Sequence, residues 1–206
     1  MNNYKIEVKN ICKSFNGTNI LKNICLNASV NNSLAITGKN GSGKSTLIKI
    51  LIGYLHNEKG NIEYFINQNK LLQENFYKHF TIVAPYYNFY EEFSTLENIE
   101  LALKLRDKNV NYDLINATLN HFGLINQNKK LVKYFSSGMK QRLKFCLSKL
   151  INSEFIFVDE PTSNLDNSGK EIVENYLMEV KTTSCLIFAT NETHEIKIAE
   201  NILNIS

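Results

Sequence analysis

Several residue types are scarce in this sequence, and each scarcity excludes a class of protein. The 206 residues include two prolines, nine glycines and no tryptophan, which excludes collagen and other Gly/Pro-rich chains. No apolar run approaches the roughly 18 residues that span a bilayer, and residues 1–10 lack the apolar core of a secretory signal. The four cysteines are widely spaced without a CxxC pair, so we expect a reducing cytosol and neither a zinc site nor a disulfide framework.

No charge of one sign dominates either. The chain has 23 basic and 20 acidic residues, a net charge of +3, which favours neither nucleic acid nor a lipid surface as a partner. The composition is 43% hydrophobic and 21% charged, as in ordinary soluble proteins. The length fits one domain of roughly 200 residues with a sizeable core.

The hydrophobic pattern alternates between strands and helices. Strands are predicted at Tyr4–Val8, Leu34–Thr37, Asn61–Ile66, Thr81–Ala84, Phe155–Val158 and Cys185–Ala189. Helices are predicted from Lys44, at Thr95–Leu105, Tyr112–Phe122, beyond Phe135 and at 168–180. Two strands are apolar throughout, which is typical of strands buried on both faces. The pattern predicts an α/β fold around a largely parallel sheet, with a helical insertion at about 85–150.

A glycine-rich segment follows the predicted strand Leu34–Thr37. Gly38–Ser45, the phosphate loop, matches G-x-x-x-x-G-K-[ST] and opens a helix, as a nucleotide-phosphate cradle requires. Its backbone N–H groups would bind phosphate oxygens, with Lys44 on the β- and γ-phosphates and the Ser45 hydroxyl on Mg²⁺. The predicted nucleotide-binding residues here are Gly38, Asn40, Gly41, Ser42, Gly43, Lys44, Ser45 and Thr46. The alternative is an incidental turn.

Two carboxylates end the apolar strand Phe155–Val158. Ligands of open α/β sheets lie at the carboxyl ends of strands, so Asp159 is the predicted Mg²⁺ ligand, directly or through water. Glu160 would polarise the water that attacks the γ-phosphate. Taken alone, the pattern could be a strand that runs into a polar turn.

Two further motifs carry a resemblance to a known family. Pro161–Asp166 follows Glu160 directly, and Phe135–Arg142, the signature segment, lies about twenty residues upstream of it. The first resembles the D-loop and the second the LSGGQ signature of ABC (ATP-binding cassette) ATPases. The resemblance covers essentially the whole chain and implies a P-loop NTPase core, with a mixed, largely parallel sheet, an N-terminal antiparallel β subdomain and a helical insertion, within one domain at 1–206.

The resemblance also implies an assembly. In this family two cassettes dimerise head to tail, so Ser136, Ser137 and Gly138 would contact the γ-phosphate bound to the other copy. Asp166 would lie at the dimer seam, and Phe15 resembles the aromatic residue that stacks on adenine. Two alternatives stay open: Ser137 as a helix N-cap, and Phe15 as a core residue.

Two positions depart from the family pattern. The glutamine expected after the strand Thr81–Ala84 is missing, and its place falls near Pro85 or Tyr86. Asn191 stands where the family has a histidine; an amide can donate a hydrogen bond to a γ-phosphate but carries no charge. His194 is an alternative, displaced substitute. The hypothesis is a cassette that binds ATP and dimerises but hydrolyses ATP more slowly than a relative with the full pattern.

The resemblance implies the ATP-binding subunit of a transporter, with catalytic Glu160, Lys44 and Asn191 and with ATP and Mg²⁺ as cofactors. Its expected partners are a second copy and a separate membrane permease, at the inner face of the cell membrane, with no nucleic acid. Pro85–Phe93, the aromatic loop, would contact that permease, or its rings could be core residues. A soluble ABC ATPase that acts on DNA or ribosomes, and a P-loop domain without turnover, are the competing functions; the sequence does not exclude GTP.

Overall fold

The computed structural model describes residues 3–205, without the side chain of Gln73. Its strands are β1 (Tyr4–Phe15), β2 (Thr18–Ser29), β3 (Leu34–Thr37), β4 (Lys59–Ile66), β5 (Asn69–Lys70), β6 (Phe80–Val83), β7 (Phe155–Asp159), β8 (Cys185–Ala189) and β9 (Asn201–Asn204). Its helices are α1 (Lys44–Leu51), α2 (Thr95–Lys104), α3 (Tyr112–His121), α4 (Ser137–Ile151), α5 (Asn167–Val180) and α6 (Thr193–Ile196), with 3₁₀ turns at Gln73–Lys78 and Val132–Tyr134.

The chain divides into two compact units. The first comprises the residues up to Phe80, Ser153–Pro161 and the residues from Leu177 onwards; the second comprises Thr81–Asn152 and Thr162–Tyr176. The phosphate loop belongs to the first unit and the signature segment to the second.

An antiparallel sheet forms the N-terminal part of the first unit, in the order β2-β1-β4-β5. A tight turn joins β1 to β2 at Asn16-Gly17, where both residues have positive φ, 49° and 79°. Asn and Gly adopt this left-handed conformation with little strain, and the resulting turn matches the twist of a hairpin. The antiparallel subdomain that the resemblance implies is therefore confirmed.

A parallel sheet forms the centre of the first unit, in the order β7-β8-β3-β9. Every residue of β7 and of β8 is buried, as their unbroken apolar sequences predict. β9 was not predicted, because its sequence Asn-Ile-Leu-Asn is polar at both ends and only pairing with β3 makes it a strand. The carboxyl ends of β3, β7 and β8 meet at one edge, where chemistry is expected.

The second unit is largely helical, as predicted. Its helices α2, α3 and α4 begin at the polar N-caps Ser94, Asn111 and Ser136, each of which accepts a hydrogen bond from a backbone N–H of the first turn. Gly123, with φ of +66°, follows the end of α3, where a glycine in the left-handed conformation commonly ends a helix. No helix of residues 3–205 is both long and apolar enough to cross a membrane.

Candidate functional site

The phosphate loop joins β3 to α1, and two of its glycines have no room for a side chain. Gly38 has φ of +146°, and a Cβ there would lie 2.2 Å from the backbone oxygen of Ile205. Gly43, the N-cap of α1, has φ of +103°, and its Cβ would lie 2.7 Å from a methyl group of Ile20. Glycine at these two positions lets the backbone turn tightly into the helix N-terminus.

Lys44 lies over this loop with its side chain largely covered. The residue is 8% exposed, and its ammonium group donates to the carbonyl oxygens of Gly38 at 2.7 Å and Lys39 at 3.2 Å. A buried ammonium needs such acceptors, because its desolvation is otherwise costly. The contacts hold a positive charge at the centre of the loop, where phosphate oxygens could replace the carbonyls as acceptors.

Asp159 lies at the carboxyl end of β7 and is 2% exposed. Its carboxylate is hydrogen-bonded to the side chain of Ser45, while its Oδ1 atom has no hydrogen-bond partner among the described residues. Burial raises the pKa of Asp159, and the hydrogen bond with Ser45 opposes that rise. A hydroxyl and a buried carboxylate oxygen with unused acceptor capacity are hard oxygen ligands that fit Mg²⁺.

Glu160 is exposed and has a backbone conformation that is rare for a residue with a side chain. Its φ is +54°, and its backbone N–H donates to the carbonyl of Ala189 at 3.0 Å. Such left-handed residues cost stability and cluster at functional sites. The hydrogen bond to the end of β8 holds this conformation in place and directs the chain out of the sheet after Asp159.

Asn191 contacts the phosphate loop. The Asn191 amide donates to the side-chain oxygen of Asn40 at 2.7 Å. His194 lies on α6 with its side chain 42% exposed, and its Nδ1 atom is 3.8 Å from a carboxylate oxygen of Glu192. The contact with Asn40 places the Asn191 amide beside the phosphate loop.

The phosphate loop forms one wall of a cavity of about 290 Å³ in the first unit. It is lined by Phe15, Ile20, Asn40, Gly41, Gly43, Lys44, Ser45, Thr46 and Glu160. Phe15 is 44% exposed, so it is not a core residue, and the ammonium of Lys13 lies 5.3 Å from its ring centroid. Ile20 was missed by the sequence analysis, although its place just across the Asn16-Gly17 turn from Phe15 was a usable signal.

The signature segment lies in the second unit, at the start of α4. Ser136 is the N-cap, and its hydroxyl oxygen accepts from the backbone N–H of Met139 at 3.2 Å; the alternative that gave this role to Ser137 is wrong. Ser136 and Ser137 are exposed. A Cβ on Gly138 would lie 2.8 Å from the backbone oxygen of Asn164, so the approach of the segment after β7 explains this glycine.

Asp166 stabilises the start of α5. Its Oδ1 atom accepts from the backbone N–H of Gly169 at 2.9 Å and from the Ser168 hydroxyl at 3.3 Å. The hydrogen bond from Gly169 is the main cause of the lowered pKa of Asp166. The carboxylate is exposed and caps the N-terminus of α5; its place at a dimer seam stays a prediction.

The position of the missing glutamine is a tight turn. The backbone N–H of Tyr87 donates to the carbonyl of Ala84 at 3.1 Å, which places Pro85 at the second position of a β-turn, where its fixed φ is favourable. In the aromatic loop that follows, Phe89 is buried, whereas Tyr90 and Phe93 are 62% and 41% exposed. The rings therefore divide between core and surface.

A family model for ABC transporters matches residues 21–163. The chain belongs to this family. It is 31% identical to the lantibiotic transport ATP-binding protein SrtF of Streptococcus pyogenes over 181 residues, which cover 86% of this chain and 77% of the relative. It is 28% identical to the lipoprotein-releasing system ATP-binding protein LolD of Wigglesworthia glossinidia brevipalpis, with 98% and 93% covered.

The fold is shared with solved cassettes. A dimeric structure of a post-hydrolysis state of the ATP-binding cassette MJ0796, bound to ADP and Pi, has a TM-score of 0.84 with 22% identity and covers 98% of this chain and 94% of that one. The predicted ABC ATPase fold is confirmed, as is the prediction that this chain is an ATPase and the ATP-binding subunit of an ABC transporter. The roles of individual residues stay predictions.

Proposed function

We propose that two copies of this chain bind MgATP between the phosphate loop of one copy and the signature segment of the other, hydrolyse it, and so drive a separate membrane subunit. The convergence of Lys44, Asp159, Glu160 and Asn191 around one glycine-built loop is the observation that carries this proposal. The parts of the proposal follow from the chemistry of these residues.

The phosphate loop would hold the triphosphate. The backbone N–H groups at the start of α1 provide an anion site, and the Lys44 ammonium would bind the β- and γ-phosphates in exchange for the Gly38 and Lys39 carbonyls. Phe15 would stack on the base from the rim of the same cavity.

Ser45 and Asp159 would hold Mg²⁺. The unpaired, buried Oδ1 atom of Asp159 and its hydrogen bond with Ser45 support this assignment. When bound, Mg²⁺ neutralises charge on the phosphate oxygens during phosphoryl transfer.

Glu160 would orient and deprotonate the attacking water, since this residue lines the cavity and its backbone N–H is hydrogen-bonded to the carbonyl of Ala189. Asn191 would donate a hydrogen bond to the γ-phosphate, but its amide cannot offer the charge of an imidazolium. Pro85 has no side-chain donor. We therefore expect turnover below that of a cassette with glutamine and histidine at these two positions.

The second copy would complete the site. The exposed hydroxyls of Ser136 and Ser137 and the backbone N–H groups at the start of α4 make an anion site. A triphosphate held by the phosphate loop of one copy has the charge that this site would accept.

A membrane permease is the proposed further partner, which would place the chain at the inner face of the cell membrane. The exposed rings of Tyr90 and Phe93, whose centroids are 5.3 Å apart, are the aromatic anchors that an interface favours. The net charge of +3 gives little affinity for a phosphate backbone, so nucleic acid is not a proposed partner.

The test is Glu160→Gln. Mixed with MgATP, this variant should form a stable dimer by size-exclusion chromatography with light scattering, and its phosphate release should fall roughly a hundredfold or more because the general base is lost. The matched control is Glu63→Gln, since Glu63 pairs with Lys70 on the β4–β5 hairpin of the same unit. A monomer with MgATP, even with the membrane partner supplied, would contradict the proposal.

Nucleotide binding with ATP hydrolysis too slow to drive the partner is the second candidate, and the amide at Asn191 together with Pro85 favours it. The same experiment separates the two. Equal and negligible phosphate release by the natural chain and by Glu160→Gln would support the second candidate, whereas substantial release that depends on Glu160 would exclude it.

A further inference from the structure

A lysine two turns into the signature helix has an unusual environment. Lys144 is 8% exposed, and its ammonium group donates to the carbonyl oxygen of Ala84 at 2.7 Å. Burial lowers its pKa, and the Lys140 ammonium on the preceding turn adds to that effect. Among the described residues, no carboxylate forms an ion pair with it, so the charge is held by a backbone carbonyl.

The Ala84 carbonyl does not need this lysine. It already accepts the backbone N–H of Tyr87 across the Pro85 turn at 3.1 Å, so an apolar side chain at position 144 would leave no unsatisfied backbone group. Desolvating an ammonium costs free energy, and replacing a buried charge by an apolar residue of similar volume is often neutral or stabilising. Stability alone therefore gives no reason for a charged group at this position.

The contact is one of several hydrogen bonds and salt bridges between the region of α4 and the region of the aromatic loop. Residues 136, 140 and 144 share one face of α4, because they are four apart. Lys140 forms a salt bridge with Glu91, and Lys144 binds Ala84, which precedes the loop directly. Just before α4, Lys133 forms a salt bridge with Glu92 at 2.6 Å.

The segment from Val132 to Lys144, which contains the start of α4, is thus connected to both ends of the aromatic loop. The connection at the far end is backbone to backbone, where the N–H of Val132 donates to the carbonyl of Phe93 at 3.0 Å. At the end that begins with Pro85, the connection is the hydrogen bond from the Lys144 side chain to Ala84. Pro85 itself cannot donate a backbone hydrogen bond to the helix, because proline has no N–H. Removing the ammonium would free that end of the loop from the helix.

We propose that Lys144 is a positioning residue for the signature segment: its hydrogen bond to Ala84 holds the Pro85 turn and α4 as one rigid piece. Under the proposed function, on which this role rests, Ser136 and Ser137 then reach the nucleotide of the second copy in a fixed orientation. The charge lowers stability and is retained for the position it imposes.

Amide hydrogen exchange tests the position directly, without nucleotide or a second copy. In Lys144→Met, which keeps the length and loses the donor, exchange of the Tyr87 and Met139 N–H groups should accelerate about tenfold, the effect expected from one hydrogen bond to a charged group. The melting temperature should be unchanged or higher. Lys144→Arg, which keeps a charged donor, should restore slow exchange, and Lys104→Met, at an exposed lysine of the same unit, should change nothing.

The second readout is assembly in the Glu160→Gln background. Lys144→Met should weaken the ATP-dependent dimer about tenfold, measured by analytical ultracentrifugation, while the ATP affinity of the monomer is unchanged because the phosphate loop lies in the other unit. Lys144→Arg should recover the dimer.

Three results would overturn parts of this inference. Exchange within twofold of the natural chain in Lys144→Met means that the lysine positions nothing, and Lys144→Gln is measured by the same criterion if the methionine variant does not fold. Faster exchange with an unchanged dimer excludes a role in the signature. A natural chain that never dimerises overturns the proposed function, and the exchange result still decides the positioning role.

Discussion

The two units build their functional residues in opposite ways. In the first unit the functional side chains are buried: Lys44 is 8% and Asp159 is 2% exposed. Both lie beside the phosphate loop, whose glycines have positive φ. In the second unit Ser136, Ser137 and Asp166 are exposed at helix N-termini, where Ser136 and Asp166 accept capping hydrogen bonds. A pocket needs buried, preorganised charge, whereas a surface that awaits a partner needs accessible donors, and the difference fits the roles proposed for the two units.

Substitutions in the two units should differ in their effect on ATP binding by the monomer, and this is the largest difference we expect. Lys44→Met should abolish ATP binding by the monomer and reduce hydrolysis roughly a hundredfold or more, because the charge inside the loop is lost. Ser137→Ala should reduce hydrolysis and leave monomer ATP binding intact, since it alters only the surface of the second unit. Equilibrium binding of a fluorescent ATP analogue and phosphate release measure both. Loss of ATP binding by the Ser137→Ala monomer would contradict the assignment of ATP binding to the first unit.

The next effect concerns the strained backbone of the first unit. Gly38→Ala should lower the free energy of unfolding by about 3 kcal/mol or more, because a Cβ would meet the backbone oxygen of Ile205. Gly41→Ala is the matched control: φ there is +82° but nothing lies within 4 Å of its Cβ, so we expect a loss of only about 1 kcal/mol from the left-handed conformation. Urea denaturation measures the two. Equal losses would show that crowding does not shape the loop.

The smallest expected effect is the pH dependence of a helix cap in the second unit, the pair Ser94 and Glu97 at the start of α2. The Ser94 hydroxyl and backbone N–H donate to the Glu97 carboxylate and lower the pKa of Glu97 below its ordinary value of 4.5. The folded state therefore binds this proton less tightly than the unfolded state, so the cap stabilises above pH 4.5 and its contribution is lost as the pH falls through the lowered pKa.

Glu97→Gln should accordingly flatten the decline of stability in acid, by a small amount because Glu97 is exposed to solvent. Thermal denaturation between about pH 3 and pH 7 measures the decline, over the range in which carboxylates titrate. Ser94→Ala removes the hydroxyl partner and should shift the curve in the same direction. Superimposable curves for Glu97→Gln and the natural chain would contradict the assignment.

Local physics explains why much of the fold was predictable. β7 and β8 are apolar at nearly every residue, so only a doubly buried strand suits them, and β3 ends where the first loop glycine begins. Polar caps and Gly123 mark the helices of the second unit within a residue or two. β5 and β9 were missed because they are short and polar, and pairing with neighbouring strands defines them.

The order of residues was enough to predict the phosphate loop, the carboxylates after β7, the signature segment and the family, because each depends on a fixed spacing within one short stretch. The folded chain was needed to show that Asn191 contacts Asn40 across 151 positions of the chain, that Phe15 lines the cavity, and that Ser136 rather than Ser137 caps α4. It also decided that Lys144 binds Ala84. These contacts join residues far apart in the chain or depend on side-chain geometry, and residue order alone encodes neither distance nor direction.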